Sequence, residues 1–271
     1  MPPKSGRWGR IIAVTRLATG LVLFCYVLTH NLNHILGLVS LDAMEAGRRV
    51  FLAFWRFEGV ETLLFLSVLL HLLIGLRALY RRKSLRMPAL EAAQLLLGLS
   101  APPLLILHVL GTVYAHDLYG LDDRYAFVLW AIWVASPGIG AMQAAALVVT
   151  WIHGCIGLNY WLRVKPWFPR WRLALGAAAL LIPVLALLGF ADGGREVERL
   201  AQDPAWIAAM LAEVRVPGAS EVAAIYALRT WLTLGFCALV GGVFVLRGLR
   251  ILATRHRAIP VTYSDGRKVV I

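Results

Sequence analysis

The chain has 271 residues, of which 60% are hydrophobic and 15% charged, and a formal net charge of +12. This apolar content excludes an ordinary soluble domain, because apolar runs near 20 residues are long enough to cross a bilayer core of roughly 30 Å. The positive charge alone would suggest nucleic acid, but the basic residues lie in short stretches between apolar runs, where membrane orientation explains them. We therefore expect a lipid bilayer and no nucleic-acid partner.

Six apolar segments are each long enough for a transmembrane helix: about 13–38, 60–80, 93–115, 139–162, 172–191 and 225–250. The sequence therefore predicts an all-α polytopic membrane protein with six transmembrane helices. Pro102 and Pro103 in the third segment predict a kink. The loop before the last segment contains 204–214, which is compatible with a short amphipathic helix, although a surface hairpin lying on the membrane face is the favoured interpretation.

Charge divides unequally between the two ends of these segments. The N-terminus, the second and fourth loops and the C-terminal tail together carry 19 Lys and Arg residues, whereas the other loops carry 8. Of the 15 acidic residues, 13 lie on the opposite side. Because basic loops remain on the cytoplasmic side, both termini are predicted to be cytoplasmic, in a bacterial inner (plasma) membrane.

The last residues have a different character from the apolar segments. The stretch 259–271 predicts two short strands around an Asp265-Gly266 turn. A lone two-stranded hairpin has little stability of its own. We therefore expect a six-helix membrane domain over 1–255, and over 256–271 the truncated start of a cytoplasmic domain.

Five of the seven histidines lie within the first four apolar segments. His30 and His34 lie in the first segment, and His71, His108 and His153 lie in the second, third and fourth. A single membrane histidine is more commonly hydrogen-bonded between helices than bound to a metal. One histidine in each of four successive segments is harder to explain by packing alone.

Depth places these histidines in two layers. From the helical rise, His71 and His153 lie roughly 9 and 15 Å from the basic ends of their segments. His108 and His30 lie roughly 14 and 18 Å from the opposite ends. Two layers of two histidines are the arrangement that clamps two b-type haems by bis-imidazole ligation. The sequence thus predicts an antiparallel four-helix haem-binding bundle over about 13–163, plus two further helices.

Further residues are candidates for contact with the haems. His34 shares a face with His30 and is the alternative ligand, although His30 lies deeper. Ser67 and Thr112 are candidates for a hydrogen bond to a ligand. Glycines near the histidines would give room for the macrocycle, and Arg77, Arg81 and Arg163 would meet the propionates of the inner haem, although a cytoplasmic flank explains these three equally well. Arg16, early in the first segment, would make an ion pair or contact a quinone, and a snorkelling side chain explains it about as well. These candidates are Gly75, Gly111, Gly154, Gly157, Arg16, Arg77, Arg81 and Arg163.

The segments from about 10 to 163 resemble the single-polypeptide diheme cytochrome b membrane anchor of the succinate dehydrogenase/fumarate reductase family. The shared features are Arg16 near the start of the first segment and one histidine in each of four segments. The resemblance implies two haem b groups, one between the first and third helices and one between the second and fourth. Their axial ligands would be His30, His71, His108 and His153. A quinone is a candidate electron partner.

Two features depart from that family. A sixth apolar segment returns the chain to the cytoplasm, and the residues from Val261 to Ile271 resemble the first hairpin of a plant-type 2Fe-2S ferredoxin. Together they resemble a bacterial family in which a six-helix anchor precedes a ferredoxin domain and a class III adenylate cyclase. That resemblance implies a 2Fe-2S cluster and catalytic carboxylates beyond Ile271, and a homodimer formed through the output domain.

Three functions remain open at this point. The first is a membrane redox sensor in which haem regulates a cytoplasmic adenylate cyclase. The second is the cytochrome b anchor subunit of a succinate:quinone or fumarate oxidoreductase. The third is a haem-free receptor or transporter, although transporters favour internal repeats that are not evident in this sequence. These residues themselves contain no visible catalytic site.

Overall fold

The computed structural model describes residues 6–256, 260–262 and 268–270, and the described part of the chain is almost entirely helical. Six helices or continuous helical stretches are long and apolar enough to cross a membrane. The helices are α1 (Arg7–Ile35), α2 (Leu41–Trp55), α3 (Glu58–Arg81), α4 (Ala89–Val109), α5 (Ala115–Tyr119), α6 (Tyr125–Leu129), α7 (Pro137–Leu162), α8 (Phe168–Leu200), α9 (Pro204–Ala212) and α10 (Ala219–His256). The spanning elements are α1, α3, α4 continued through α5, α7, α8 and α10.

All six predicted segments are helical, but several helices are longer than the apolar runs that predicted them. The fifth was expected to end near 191, whereas α8 continues to Leu200. The sixth was expected over 225–250, whereas α10 covers Ala219–His256. Hydropathy marks only the part of a helix that suits lipid, and the backbone hydrogen-bond ladder continues beyond it wherever the chain allows.

The loop between the first two spans contains a helix that the sequence did not predict. Ser40 caps α2, because its hydroxyl accepts a hydrogen bond from the Ala43 amide at 3.0 Å, and Asp42 adds a negative charge to the first turn. Leu41, Met44 and Trp55 are its buried residues. An amphipathic helix of 15 residues is too short and too polar for a search for spanning segments.

The third loop also contains helical structure. In this loop, α6 continues into a π-helical stretch, Trp130–Ala135.

The third span also contains a π-helical turn, Leu110–Tyr114, which joins α4 to α5. The helix α4 continues through both of its prolines to Val109. Between α8 and α10, α9 begins at Pro204 with Asp203 as its cap, so a short helix is present where a surface hairpin was favoured, and this helix is apolar on all sides rather than amphipathic.

Packing around α1 and α10 determines the order of the helices. The helix α1 packs against α3, α7 and α8, and α4 packs against α7. The short basic loop after α3 led us to expect direct antiparallel packing of α3 and α4. Instead, α10 packs against both of them. The sixth span is thus part of the same bundle as the histidine-bearing helices.

Two short strands follow α10. β1 (Pro260–Thr262) and β2 (Lys268–Val270) pair antiparallel, with Pro260 opposite Val270 and Thr262 opposite Lys268. The two strands were predicted from the sequence, whereas the Asp265-Gly266 turn lies outside the described residues. The assignment of 256–271 to a ferredoxin-like domain stays a prediction.

Candidate functional site

His71 of α3 and His153 of α7 lie next to each other inside the bundle, with their rings edge-on. Their ring centroids are 6.2 Å apart and the ring planes are nearly perpendicular, at 86°. Two imidazoles that bind one metal ion end-on would have ring centres roughly 6 Å apart, given metal–nitrogen bonds of about 2.0–2.1 Å as found for zinc. The spacing of this pair therefore fits two axial ligands of one metal.

Thr19 of α1 fixes the protonation of the His71 ring. The Thr19 hydroxyl donates to the Thr15 carbonyl at 2.8 Å, and its oxygen lies 3.1 Å from His71 Nδ1. With its hydrogen on the Thr15 carbonyl, this oxygen acts as the acceptor towards His71, and the Arg16 carbonyl, which also bonds to the ring, can only accept. His71 Nδ1 therefore carries the hydrogen, and in the neutral ring Nε2 presents a lone pair.

A main-chain carbonyl has the same effect on His153. His153 Nδ1 lies 3.0 Å from the carbonyl oxygen of Gln94 in α4. A carbonyl only accepts, so Nδ1 is the donor and Nε2 again presents a lone pair. The two rings consequently cannot share a hydrogen bond through Nε2, because neither Nε2 has a hydrogen to donate. Both are in the tautomer that binds a metal through Nε2.

Glycines on neighbouring helices let these two rings lie against the helix backbone. A Cβ added to Gly20 of α1 would lie 3.2 Å from His71 Cε1, and one added to Gly98 of α4 would lie 2.7 Å from His153 Cε1. The second distance is shorter than real Cβ atoms tolerate, so a side chain at Gly98 would displace His153. Sequence reasoning missed both glycines, because it considered only those near each histidine along the chain.

The outer layer has three histidines. His30 of α1 and His108 of α4 have ring centroids 5.8 Å apart. His34 lies one turn further along α1, with its Nε2 at 3.3 Å from His30 Nε2, and its ring packs against Phe190 of α8 with centroids 5.3 Å apart. Among the described residues, Nδ1 of both His30 and His34 is buried without a hydrogen-bond partner. No described residue therefore fixes the hydrogen of His30 or His34 at Nδ1, whereas His108 has a hydrogen-bond partner in the Gln143 side chain.

The other predicted contact residues fall into different environments. A Cβ added to Gly75 or Gly111 would meet no described atom within 4 Å. One added to Gly154 would lie 2.8 Å from Phe24, and one added to Gly157 would lie 3.3 Å from the Gln94 side chain. These last two glycines thus give room to side chains of α1 and α4. Of the expected hydrogen-bond partners, Thr112 donates to the His108 carbonyl at 2.7 Å.

The predicted arginines lie at exposed positions on their helices. They lie towards the basic ends of three helices: Arg16 in α1, Arg77 and Arg81 in α3, and Arg163 directly after α7. The guanidinium of Arg163 lies over the Tyr160 ring, 4.7 Å from its centroid. His116 is also exposed, and its Nδ1 lies 3.0 Å from the Leu121 carbonyl. The side chain of His256 lies outside the described residues.

A charged network lies at the acidic end of the bundle, next to the outer histidines. Arg48 of α2 contacts Glu45 and Asp123, each at 2.6 Å, and Arg56 contacts the same Asp123 carboxylate. Burial lowers the pKa of Arg48, but the neighbouring Glu45 and Asp123 carboxylates more than offset this and raise it above its ordinary value. The network joins α2 to the loop before α6 and so holds α2 over the histidine layer.

Two hydrogen bonds link this network to α1 through Tyr125. The Tyr125 amide donates to Glu45, and the Asn33 side chain of α1 donates to the Tyr125 hydroxyl at 2.8 Å. Burial raises the pKa of Tyr125 well above its usual value, and the hydrogen bond from Asn33 partly opposes the rise. The Tyr125 hydroxyl therefore stays protonated.

Comparison of the chain with protein-family models, with curated proteins and with solved structures finds no match. Among the described residues, no group of three or more His, Cys, Asp or Glu side chains is placed to hold a metal ion. A haem iron needs only two axial protein ligands, because the macrocycle supplies the others. Paired histidines are thus the arrangement to consider for this chain.

Proposed function

We propose that this protein is a membrane domain that binds two haem b groups and transfers or senses electrons. The observation that carries the proposal is the inner pair, in which His71 and His153 come from different helices at a spacing of 6.2 Å and both present a lone pair on Nε2. An interhelical hydrogen bond would explain one nitrogen of each ring, but not two unprotonated Nε2 atoms on neighbouring rings. Axial ligation explains both.

His30 and His108 would hold the second haem, with His34 as the alternative to His30. The ring spacing of 5.8 Å supports this pair, although His30 Nε2 would have to leave His34 Nε2 to bind iron. When bound, haem would supply a one-electron redox centre. The residues of this chain would supply its axial ligands, its burial and its orientation, and a quinone is a candidate electron donor or acceptor.

We favour a regulatory role over that of a free-standing electron-transfer subunit, because α10 joins the histidine bundle to the chain that follows it. Arg247 Nε of α10 donates to the Arg82 carbonyl at 2.9 Å, and Arg250 Nη2 donates to the Arg81 carbonyl at 3.0 Å. These carbonyls lie at the end of α3, the helix that carries His71. A change around His71 would therefore have a direct route to α10 and to the strands beyond it, where the resemblance implies a ferredoxin domain and an adenylate cyclase.

Absorption spectroscopy of the purified protein tests haem binding. We expect a reduced-minus-oxidised spectrum of b-type haem and two haems per chain. His71→Ala and His153→Ala should each remove one of the two haems, because each deletes one axial ligand of the same iron. The exposed His116→Ala is the matched control and should keep both.

Two results would count against the proposal. A wild-type protein without haem absorbance would overturn it entirely, as would a full spectrum after replacement of both His71 and His153. Copurification with flavin and iron–sulfur subunits would leave haem binding intact and replace the regulatory role with that of an oxidoreductase anchor.

A further inference from the structure

The two ligands of the inner layer differ in the group that accepts their Nδ1 hydrogen. For His153 it is the main-chain carbonyl of Gln94, which no substitution removes. For His71 it is the side-chain hydroxyl of Thr19, which lies on α1 and not on the helix that carries either inner ligand. The Arg16 carbonyl of α1 also bonds to the His71 ring, so the Thr19 hydroxyl is the replaceable one of two acceptors.

Thr19 is itself held in a single orientation. It is buried, with 7% of its surface exposed, and its hydroxyl oxygen lies 2.8 Å from the Thr15 carbonyl oxygen and 3.2 Å from that of Arg16. The adjacent Gly20 brings the α1 backbone close to the His71 ring, because a Cβ there would lie 3.2 Å from Cε1. Thr19 and Gly20 together thus form a surface of α1 against which the ring lies.

We infer that Thr19 is a positioning residue whose hydroxyl accepts a hydrogen bond from Nδ1 of His71 and thereby lowers the reduction potential of the inner haem. This inference rests on the proposed function. A ligating imidazole that donates its other N–H to an acceptor is more basic, and a more basic axial ligand stabilises ferric over ferrous iron. Loss of the acceptor should therefore raise the potential of that haem and leave the outer one unchanged.

Because of this contact, helix α1 contributes a side chain to each of the two histidine layers. Its Thr19 accepts from an inner ligand, while His30, about three turns along the same helix, belongs to the outer pair. The inner ligands themselves come from α3 and α7. The potential of the inner haem is thus set partly by the helix that supplies a ligand to the other haem.

Redox titration of the two haems in Thr19→Val tests the inference. Valine has the shape of threonine without the hydroxyl, so the ring keeps its packing and the Arg16 carbonyl but loses the hydroxyl acceptor. We expect an upward shift of one midpoint potential. A tenfold change in the ratio of reduced to oxidised haem at fixed potential corresponds to about 59 mV for one electron. The haem that shifts should be the one that is lost in His153→Ala.

Thr150→Val is the matched control. Thr150 is another threonine of a spanning helix, and its hydroxyl bonds, within the described part of the chain, to two carbonyls of its own helix, Ala146 and Leu147. It should move neither potential. Thr19→Ser should retain the wild-type potentials, and Thr19→Cys, with a weaker acceptor, should shift the inner haem upward relative to Ser. The Ser and Cys pair decides the question if Thr19→Val fails to fold.

The inference fails if both haems keep their wild-type potentials in Thr19→Val, or in Thr19→Cys where valine does not fold. It also fails if Thr150→Val produces the same shift. A wild-type chain without haem would overturn both this inference and the proposed function, whereas two haems with potentials insensitive to Thr19 would overturn this inference alone.

Discussion

His71 and His153 are each held by a hydrogen bond from Nδ1 to a different helix, α1 for the first and α4 for the second. Buried polar atoms in a bilayer need partners, and each bond satisfies one nitrogen of each ring. The partners do more than satisfy the ring, because they decide which nitrogen keeps the hydrogen. His30 and His34 have no such partner at Nδ1 among the described residues, so the two layers differ in how firmly their rings are oriented.

Tyr125 gives a prediction at the residue scale. Tyr125→Phe should destabilise the protein by about 1–3 kcal/mol, because the buried Asn33 amide would lose its acceptor. The measurement is thermal or denaturant unfolding in detergent. Tyr226→Phe, at an exposed tyrosine of α10, is the control and should change little. Equal stability of Tyr125→Phe and the wild type would show that the Asn33 bond contributes nothing.

The helices meet at glycines where two backbones approach closely. Gly37, just after α1, and Gly189 of α8 lie backbone to backbone. A Cβ on Gly189 would collide with the His34 carbonyl, and a Cβ on Gly37 would collide with the Gly189 carbonyl. Small residues at helix contacts are common in membranes because close packing replaces the hydrophobic driving force. Here the contact fixes α8 beside the outer histidines.

Gly189→Ala tests this contact at the scale of the element. The added methyl group should cost about 1–3 kcal/mol through overpacking between α1 and α8. Gly176→Ala lies on the same helix, where a Cβ meets nothing within 4 Å, so it should be neutral or stabilising through its higher helix propensity. Unfolding in detergent should thus give opposite signs for the two variants. The same sign and size for both would rule out a close α1–α8 contact.

Most basic residues and most acidic residues lie at opposite ends of the spanning helices. The ends of α1, α3, α7 and α10 that carry arginines lie on the basic side, whereas the acidic residues of α2, of the start of α3 and of the end of α8 lie on the other. The acidic side is also the structured one, with Arg48, Arg56 and Asp123 tying α2 to the loop before α6. The short loops of the basic side leave little room for such elements.

Reporter fusions test the predicted orientation of the whole chain. A fluorescent protein fused after Ile271 should fluoresce, because such reporters fold in the cytoplasm, where the basic side should lie. Alkaline phosphatase fused after Gly120, in the loop between α5 and α6, should be active, because it requires the opposite compartment. Activity with the reverse pattern would invert the topology without changing the fold.

Length and hydropathy were sufficient to predict the six spans, because the bilayer demands about 20 apolar residues wherever a helix crosses it. The depth of each histidine along its segment was also sufficient to predict which rings lie close together, since helical rise is constant. His71 with His153 and His30 with His108 are the pairs that the structure brings together. Their role as haem ligands stays a prediction.

The tertiary structure decided what depends on the rotation and lateral order of the helices. Hydropathy carries no signal for the contact of Thr19 with His71, for the Gln94 carbonyl beside His153, or for the close approach of Gly20 and Gly98. It also did not predict that α10 would pack against both α3 and α4. Lipid-facing and helix-facing positions are both apolar in a membrane protein, so the sequence determines where a helix crosses and only packing determines what it faces.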